Sequence, residues 1–215
     1  MIEQSKTSTG SKVTPVATTR IQKRNIALIA DAALEVFSSH GYRGSTVDQI
    51  AKQAGLSKPN LLYYFPSKEA VHDYLLSTLM VTWLDPLREI DAKGEPLDEI
   101  LGYVRRKLEL SRDHPSESRL FANEIVQGAP RILPLLETEL KSLVDDKAAL
   151  FQSWMDAGRL AKADPHHLIF SIWSLTQHYA DFDVQVRAVL GCEVTDPFPA
   201  AEEYLITLFT RMLKV

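Results

Sequence analysis

Residues 46–66, TVDQIAKQAGLSKPNLLYYFP, restrict the fold more than any other stretch of this chain. Thr46 followed three residues later by Gln49 has the form of a capping box. It predicts a short helix over Val47–Gln53, closed at Gly55. Ser57 is placed to cap a second short helix with Lys58 and Pro59 in its first turn. Proline suits that position because the first amides of a helix have no intrahelical partner. Pro66 stops this helix, and Ser67 caps the next. Two short helices joined by a glycine turn make a helix-turn-helix pattern. Ile50, Ala51, Ala54, Leu56 and Leu61 then form its inner faces, with small Ala51 letting the helices cross closely, and Phe65 also turns inward.

The rest of the chain is punctuated in the same way. Residues 1–19 mix Ser, Thr, Lys and Gly without periodicity and read as a disordered arm. Ile26, Ile29, Ala30, Ala33, Leu34 and Phe37 follow a helical stripe, with Gly41 as a left-handed cap. A long helix is expected over residues 68–90, kinked at Pro86, and further helices over 97–112, 116–127, 131–158, 165–189 and 198–213. Neither strand patterning nor a repeat is evident. The predicted fold class is all-α, with about nine helices. The expected division is an arm (1–19), a DNA-binding unit (20–66) and a helical ligand-binding and dimerisation unit (67–215).

Charge separates the two units. Residues 1–70 carry 9 Lys or Arg against 5 Asp or Glu, whereas residues 71–215 carry 15 against 23. A basic first part on an acidic remainder suits a polyanion bound only by the first. The apolar runs are shorter than a membrane helix needs. Cys192, the single cysteine, excludes an intrachain disulfide and a thiolate-rich metal site. The expectations are a cytoplasmic protein, no membrane partner and no metal or other cofactor. An enzyme is not expected. His166 and His167 are adjacent and point apart on a helix, Asp145-Asp146 reads as a solvated face, and His178 with Asp181 lacks a nucleophile.

Residue chemistry assigns DNA contacts to the second helix and its flanks. Lys58 and Lys68 can neutralise phosphates, and Ser45, Thr46 and Tyr64 can donate hydroxyl hydrogen bonds to them. Asn60 can pair bidentately with an adenine edge. Tyr63 can meet a base edge, a thymine methyl or a phosphate, and Pro59 a thymine methyl. Arg20, Lys23 and Arg24 belong either to an arm touching the backbone or minor groove, or to a solvated tail.

The segment AALEVFSSHGYRGSTVDQIAKQAGLSKPNLLYYFPSKEAV resembles the N-terminal domain of TetR-family repressors along essentially its whole length. Ala33 to Thr46 match the family's opening, with Ser45 in place of the common first threonine. Ala51, Ala54, Gly55, Leu56 and Ser57 match its turn. Leu62, Tyr63, Tyr64, Phe65, Lys68, Glu69 and Val71 match its closing motif. Later segments, notably DPHHLIFSIW and LTQHYADF, are similar to the ligand domain of the pyrimidine-utilisation regulators within that family. The resemblance implies a homodimer that binds double-stranded operator DNA and releases it on binding uracil or thymine.

The ligand-binding candidates come from side-chain chemistry. Trp173 and Gln177 lie four apart on one helix face. An indole face beside a carboxamide suits a planar ring with lactam or imide groups. Trp83, on the helix attached to the DNA-reading unit, is a second wall, although any one tryptophan can instead be core. Tyr103 and Lys107, again four apart, are candidates for polar closure. For dimerisation, Ile169, Ile172, Leu175 and Thr176 with Leu205, Leu208, Phe209 and Met212 are expected to build a four-helix interface, in part shared with the core.

Overall fold

The computed structural model describes residues 19–215, so the arm expected over 1–19 lies, save Thr19, outside the described residues. All of the described secondary structure is helical. The DNA-reading unit comprises α1 (Arg20–Gly44), α2 (Val47–Gln53), α3 (Lys58–Tyr64) and the start of α4 (Lys68–Arg88). Then follow α5 (Pro96–Asp113), α6 (Pro115–Val126), α7 (Leu133–Leu135), a π-helical turn (Leu136–Leu140), α8 (Lys141–Asp156), α9 (Pro165–Asp181), α10 (Asp183–Leu190) and α11 (Phe198–Leu213). Because α7, the π turn and α8 run on without a break, the described chain has ten helical segments. The one beyond expectation arises at Phe182 (φ −115°, ψ 29°), which divides the helix expected over 165–189 into α9 and α10.

Local chemistry sets the ends of these helices. Thr19, Thr46, Ser57, Ser67 and Asp164 each accept a backbone N–H of their helix's first turn, a contribution of about 1 kcal/mol per cap. Thr19 with Gln22 and Thr46 with Gln49 form complete capping boxes. Gly41 departs from its expected role. Its φ of 68° is positive, but its ψ of 169° is extended, so it interrupts α1 instead of capping it in the left-handed region. Gly55 (φ 66°) does close α2. Its N–H donates to the Lys52 carbonyl and that of Leu56 to the Ala51 carbonyl, the paired bonds of a Schellman turn. Helix α4 continues through Pro86 and ends at Arg88, two residues short of Ile90.

Two cores result. The first joins Ile29, Ala33 and Phe37 of α1 to Ile50, Ala51, Leu61 and Phe65, and continues along α4 to Trp83 and Leu84. Leu120 of α6 and Ala129 and Ile132 beyond it belong to the same core, so packing crosses the 66/67 division. The second gathers Leu87, Ile100, Tyr103, Val104, Phe151, Trp154, Ile169, Ile172, Leu205 and Phe209. Leu140 and Leu143 pack against both. Of the residues expected to be shared between dimer surface and core, Ile169, Ile172, Thr176, Leu205 and Phe209 are buried within the chain itself. On those helices and the adjoining turn the exposed apolar groups are Phe170, Phe182, Tyr204 and Met212. Among the described residues, no helix is long and apolar enough to cross a membrane.

Candidate nucleic-acid interface and effector cavity

The inner side of α3 is anchored by Leu61, fully buried, and by Phe65 just after it. That anchoring leaves Lys58, Pro59, Asn60 and Tyr63 exposed on its outer side, with Tyr63 72% accessible. Lys58 Nζ lies 2.8 Å from Asp48 Oδ2, an exposed pair that tethers α3 to α2 loosely. Tyr64 is half-buried and its hydroxyl oxygen accepts from Asn25 Nδ2 at 2.7 Å, leaving its own proton to donate. Thr46 is exposed at the start of α2. Arg43, at the end of α1, and Lys52, in the last turn of α2, are exposed cations that were not singled out by sequence; their only signal was charge.

Two of the expected phosphate contacts are redirected by the fold. Ser45 is buried, and its hydroxyl lies within hydrogen-bond distance of the Gly41 carbonyl (2.6 Å) and the Val36 carbonyl (3.2 Å). It therefore holds the turn after Gly41 and does not present a donor to DNA. Lys68 Nζ donates to the carbonyls of Tyr42 (2.7 Å) and Ser45 (2.8 Å) and sits 4.2 Å from the centre of the Tyr42 ring. Its ammonium closes the last turn of α1 onto the start of α4.

Four of the five ligand candidates meet in one place. A small cavity of about 50 Å³ is lined by Met80, Trp83 and Leu84 of α4, Lys107 of α5, Phe121 of α6, Leu140 of the π turn, and Trp173 and Gln177 of α9. It shares Phe121, Leu140, Trp173 and Gln177 with an outer groove of about 720 Å³, to which Arg119, Asp181 and Phe182 also belong. Tyr103 does not line either space. Fully buried behind Trp173, its hydroxyl oxygen accepts from the Trp173 indole N–H at 2.6 Å.

Sequence spacing put Trp173 and Gln177 on one face, but it carried no sign of Met80, Leu84, Phe121 or Leu140, which are ordinary core types. Asp181, a further four residues along that face, was weighed in the sequence only as a partner of His178.

The cavity holds polar groups under tension. Lys107 Nζ lies 4.1 Å from the centre of the Trp83 ring. Burial pushes the Lys107 ammonium down to about 7, opposed by the Asp181 carboxylate. Burial in turn raises the Asp181 carboxyl above its ordinary range, against the Ser118 hydroxyl, which donates to it at 2.5 Å, and the charges of Arg119, Lys107 and His178. The Trp83 indole nitrogen is buried with no hydrogen-bond partner among the described residues. A buried N–H donor without an acceptor is costly. An ammonium and a carboxamide among aromatic walls can together receive a flat molecule rimmed with carbonyl oxygens.

Comparisons with known proteins follow this geometry. The family model for bacterial regulatory proteins of the tetR family matches residues 29–75. The model for the C-terminal region of YcdC-like proteins matches residues 76–215. The HTH-type transcriptional regulator RutR of Escherichia coli O157:H7 is 51% identical over 168 residues, 78% of this chain and 79% of that protein. A bacterial regulatory protein in the tetR family from Rhodococcus RHA1 has the same fold, with a TM-score of 0.72 at 20% identity over 88% of this chain and 96% of that one. So does AibR in complex with isovaleryl coenzyme A and operator DNA, with a TM-score of 0.65 at 14% identity over 86% of this chain and 97% of that one.

Proposed function

The chain belongs to the TetR family of bacterial transcriptional regulators, and from that premise we propose that it binds a pseudopalindromic operator as a homodimer and leaves it when uracil or thymine fills the space between Trp83 and Trp173. It is a ligand-responsive regulator and not an enzyme. Its operator would be met in the cytoplasm, with no membrane and no metal or organic cofactor taking part.

One observation carries the pyrimidine reading: Trp83, Lys107, Trp173 and Gln177 line a single cavity. A uracil ring has flat faces for the two indoles and a rim that alternates carbonyl acceptors with N–H donors. The Gln177 carboxamide offers both an acceptor and donors to that rim, while Lys107 offers a donor to its carbonyls. The inner cavity, about 50 Å³, is small beside the groove of about 720 Å³ with which it shares Phe121, Leu140, Trp173 and Gln177. A ring therefore extends past Trp173 into the groove or displaces the walls, and displacement is what a switch requires. Uracil must favour the DNA-incompetent arrangement, because a ligand with equal affinity for both arrangements shifts nothing.

The operator side rests on α3, with Asn60 as the base reader, Lys58, Thr46 and Tyr64 on phosphates, and Pro59 and Tyr63 against base edges or methyls. The exposed Phe170, Phe182, Tyr204 and Met212 supply apolar area for the second copy.

The test is calorimetric titration of the wild type and Gln177→Leu with uracil, alongside operator binding by fluorescence anisotropy. Uracil is expected to bind the wild type and release the operator. Gln177→Leu should bind uracil about tenfold more weakly, the loss of one buried hydrogen-bonding group, with ligand-free operator affinity unchanged. Wild type that neither binds uracil nor responds to it would end the pyrimidine reading. A second reading, an acyl-type ligand, draws on the 720 Å³ groove and its apolar Phe121, Ile125, Val126, Leu136 and Phe182. Melting with uracil, thymine and an acyl thioester separates the two, since a ligand of the native state raises the melting temperature.

A further inference from the structure

Tyr42, in the last turn of α1, carries two cations against its ring. Lys68 Nζ is 4.2 Å and the Arg131 guanidinium carbon 4.1 Å from the ring centre. Lys68 belongs to the DNA-reading unit's own closure, as its bonds to the carbonyls of Tyr42 and Ser45 show. Arg131 comes from elsewhere: it lies in the connection between α6 and α7, on the effector side of the molecule. Only 20% of its side chain is accessible, and it approaches Glu69 (3.4 Å) and Asp73 (3.2 Å) in the first two turns of α4. Its backbone N–H donates to the buried Glu124 at 2.8 Å. Two carboxylates thus meet the guanidinium, and a third holds the main chain of the same residue. Burial, with Glu69 and Glu124 nearby, holds the Asp73 carboxyl above its ordinary range even with Arg131 beside it.

The same segment forms the cavity wall. Ala129 and Ile132 are buried in the first core. The helix starting at Leu133 turns directly into the π turn, whose Leu136 and Leu140 line the groove, Leu140 reaching the inner cavity as well. On the other side of Arg131, Phe121, Ile125 and Val126 of α6 line the groove too. Arg131 is therefore flanked in the chain by cavity walls, and its side chain ends on the turn that precedes α2.

We propose that Arg131 is the positioning residue that sets the DNA-reading unit against the effector domain, through the Tyr42 ring and the Glu69–Asp73 face of α4, and that movement of the cavity walls acts on DNA binding through it. Guanidinium suits the task because it stacks flat on a ring while pairing with carboxylates at its edge. Removing it leaves Glu69 and Asp73 without their shared cation and is expected to loosen the register that the apolar core alone then sets.

The inference rests on the dimeric reading of an operator with two half-sites, and its test uses that geometry without any effector. The rigid placement of two reading units fixes the half-site separation a dimer accepts. An operator selected from random duplexes with the wild type is lengthened or shortened by one base pair at its centre, and full-length dimers are titrated against all three by fluorescence anisotropy. Wild type should discriminate by about tenfold or more between the selected and altered spacings, and Arg131→Ala by about threefold or less. Arg131→Lys, which keeps charge but not the flat stacking surface, should fall between.

A role confined to fold stability would lower the melting temperature and leave the spacing ratio unchanged. An unchanged ratio in Arg131→Ala overturns the proposal. If that variant does not fold, Arg131→Lys decides alone: a loosened ratio supports the proposal and a wild-type ratio overturns it. A wild type indifferent to spacing would remove the two-half-site reading itself, and the proposal with it.

Discussion

The indole N–H of Trp173 donates to the Tyr103 hydroxyl oxygen across 2.6 Å, fixing one wall of the effector cavity to the middle of α5. Tyr103 is fully buried, and burial raises its hydroxyl pKa, so it stays a neutral acceptor throughout the working range. Tyr103→Phe keeps the ring and removes only that acceptor. The stranded indole N–H should cost about 1–3 kcal/mol. Because Trp173 lines the cavity and Tyr103 does not, the variant is expected to weaken uracil binding about tenfold through a misplaced wall, with ligand-free operator affinity retained. Calorimetry and anisotropy on one preparation check both halves.

The outer side of α3 sets an uncharged carboxamide, Asn60, near an ammonium, Lys58. Asn60 is exposed and has no charge, so Asn60→Ala should weaken the selected operator by about 1–3 kcal/mol while leaving random duplex binding nearly unaltered. Lys58→Ala should weaken both alike and reduce the slope of log affinity against log salt by about one. Its pairing with Asp48 is exposed and costs little to give up. Equal loss on operator and random DNA for Asn60→Ala would take away its base-reading role.

Lys68 gives a different signature. Its ammonium is engaged by two main-chain carbonyls and the Tyr42 ring. Lys68→Ala should therefore lower the melting temperature by several degrees, as loss of charge-assisted hydrogen bonds worth about 1.5–3 kcal/mol each would, and leave the salt slope of the folded fraction unchanged. Thermal melts and salt titrations distinguish this from the loss of a phosphate contact, which would do the reverse.

Lys68 and Ser45 also show why part of the site could not be read from the chain. These helix ends were legible because each rests on neighbours within four residues: Thr46 with Gln49, Ser57 with Asn60, Gly55 with Lys52. A polar side chain at 45 or 68 announces a donor but not its target. The target of Ser45 depends on the ψ of Gly41, and that of Lys68 on a carbonyl 26 residues away. Arg131 and Tyr42 meet across 89 positions and left no pattern in either segment. Trp173 and Gln177 declared themselves through a four-residue spacing, whereas Trp83 and Lys107 join them only through the packing of α4, α5 and α9. The break at Phe182 has no glycine or proline to mark it.

His72, behind the Tyr42 ring, is expected to make the fold acid-sensitive. It is buried edge-on against Phe37 (5.0 Å) and Tyr42 (4.8 Å). Burial first, then the Arg131 and Lys68 charges, lowers its pKa from 6.5 to about 4. Between those values the unfolded chain holds a proton that the native chain refuses, so this group removes stability as pH falls from about 6.5 to about 4. His72→Gln takes away the titration. Its melting temperature should fall less steeply than wild type over that window, read from melts at half-unit steps of pH. Parallel curves would assign the acid limb to other groups.

Lys107 acts on the opposite side of neutrality. Its ordinary pKa of 10.5 is pushed down to about 7 by burial, with Asp181 the opposing charge. As pH rises above 7 the native chain releases this proton, while the unfolded chain keeps it to about 10.5, so stability contributed by this group grows with pH across that interval. Lys107→Met fills similar volume without a charge. It should melt higher than wild type near pH 7 and lose the rise toward pH 10, as replacement of a buried charge by a hydrophobe commonly does. The same variant should bind uracil at least about tenfold more weakly, because the ammonium is the cavity's strongest donor to a carbonyl oxygen. Wild type should take up protons on binding uracil near pH 8, since a carbonyl partner raises the Lys107 pKa. Calorimetry in two buffers of different ionisation enthalpy reads that uptake directly. A gain in melting temperature with full uracil affinity would make Lys107 a buried charge kept for some other purpose, and would leave Gln177 to hold the ligand.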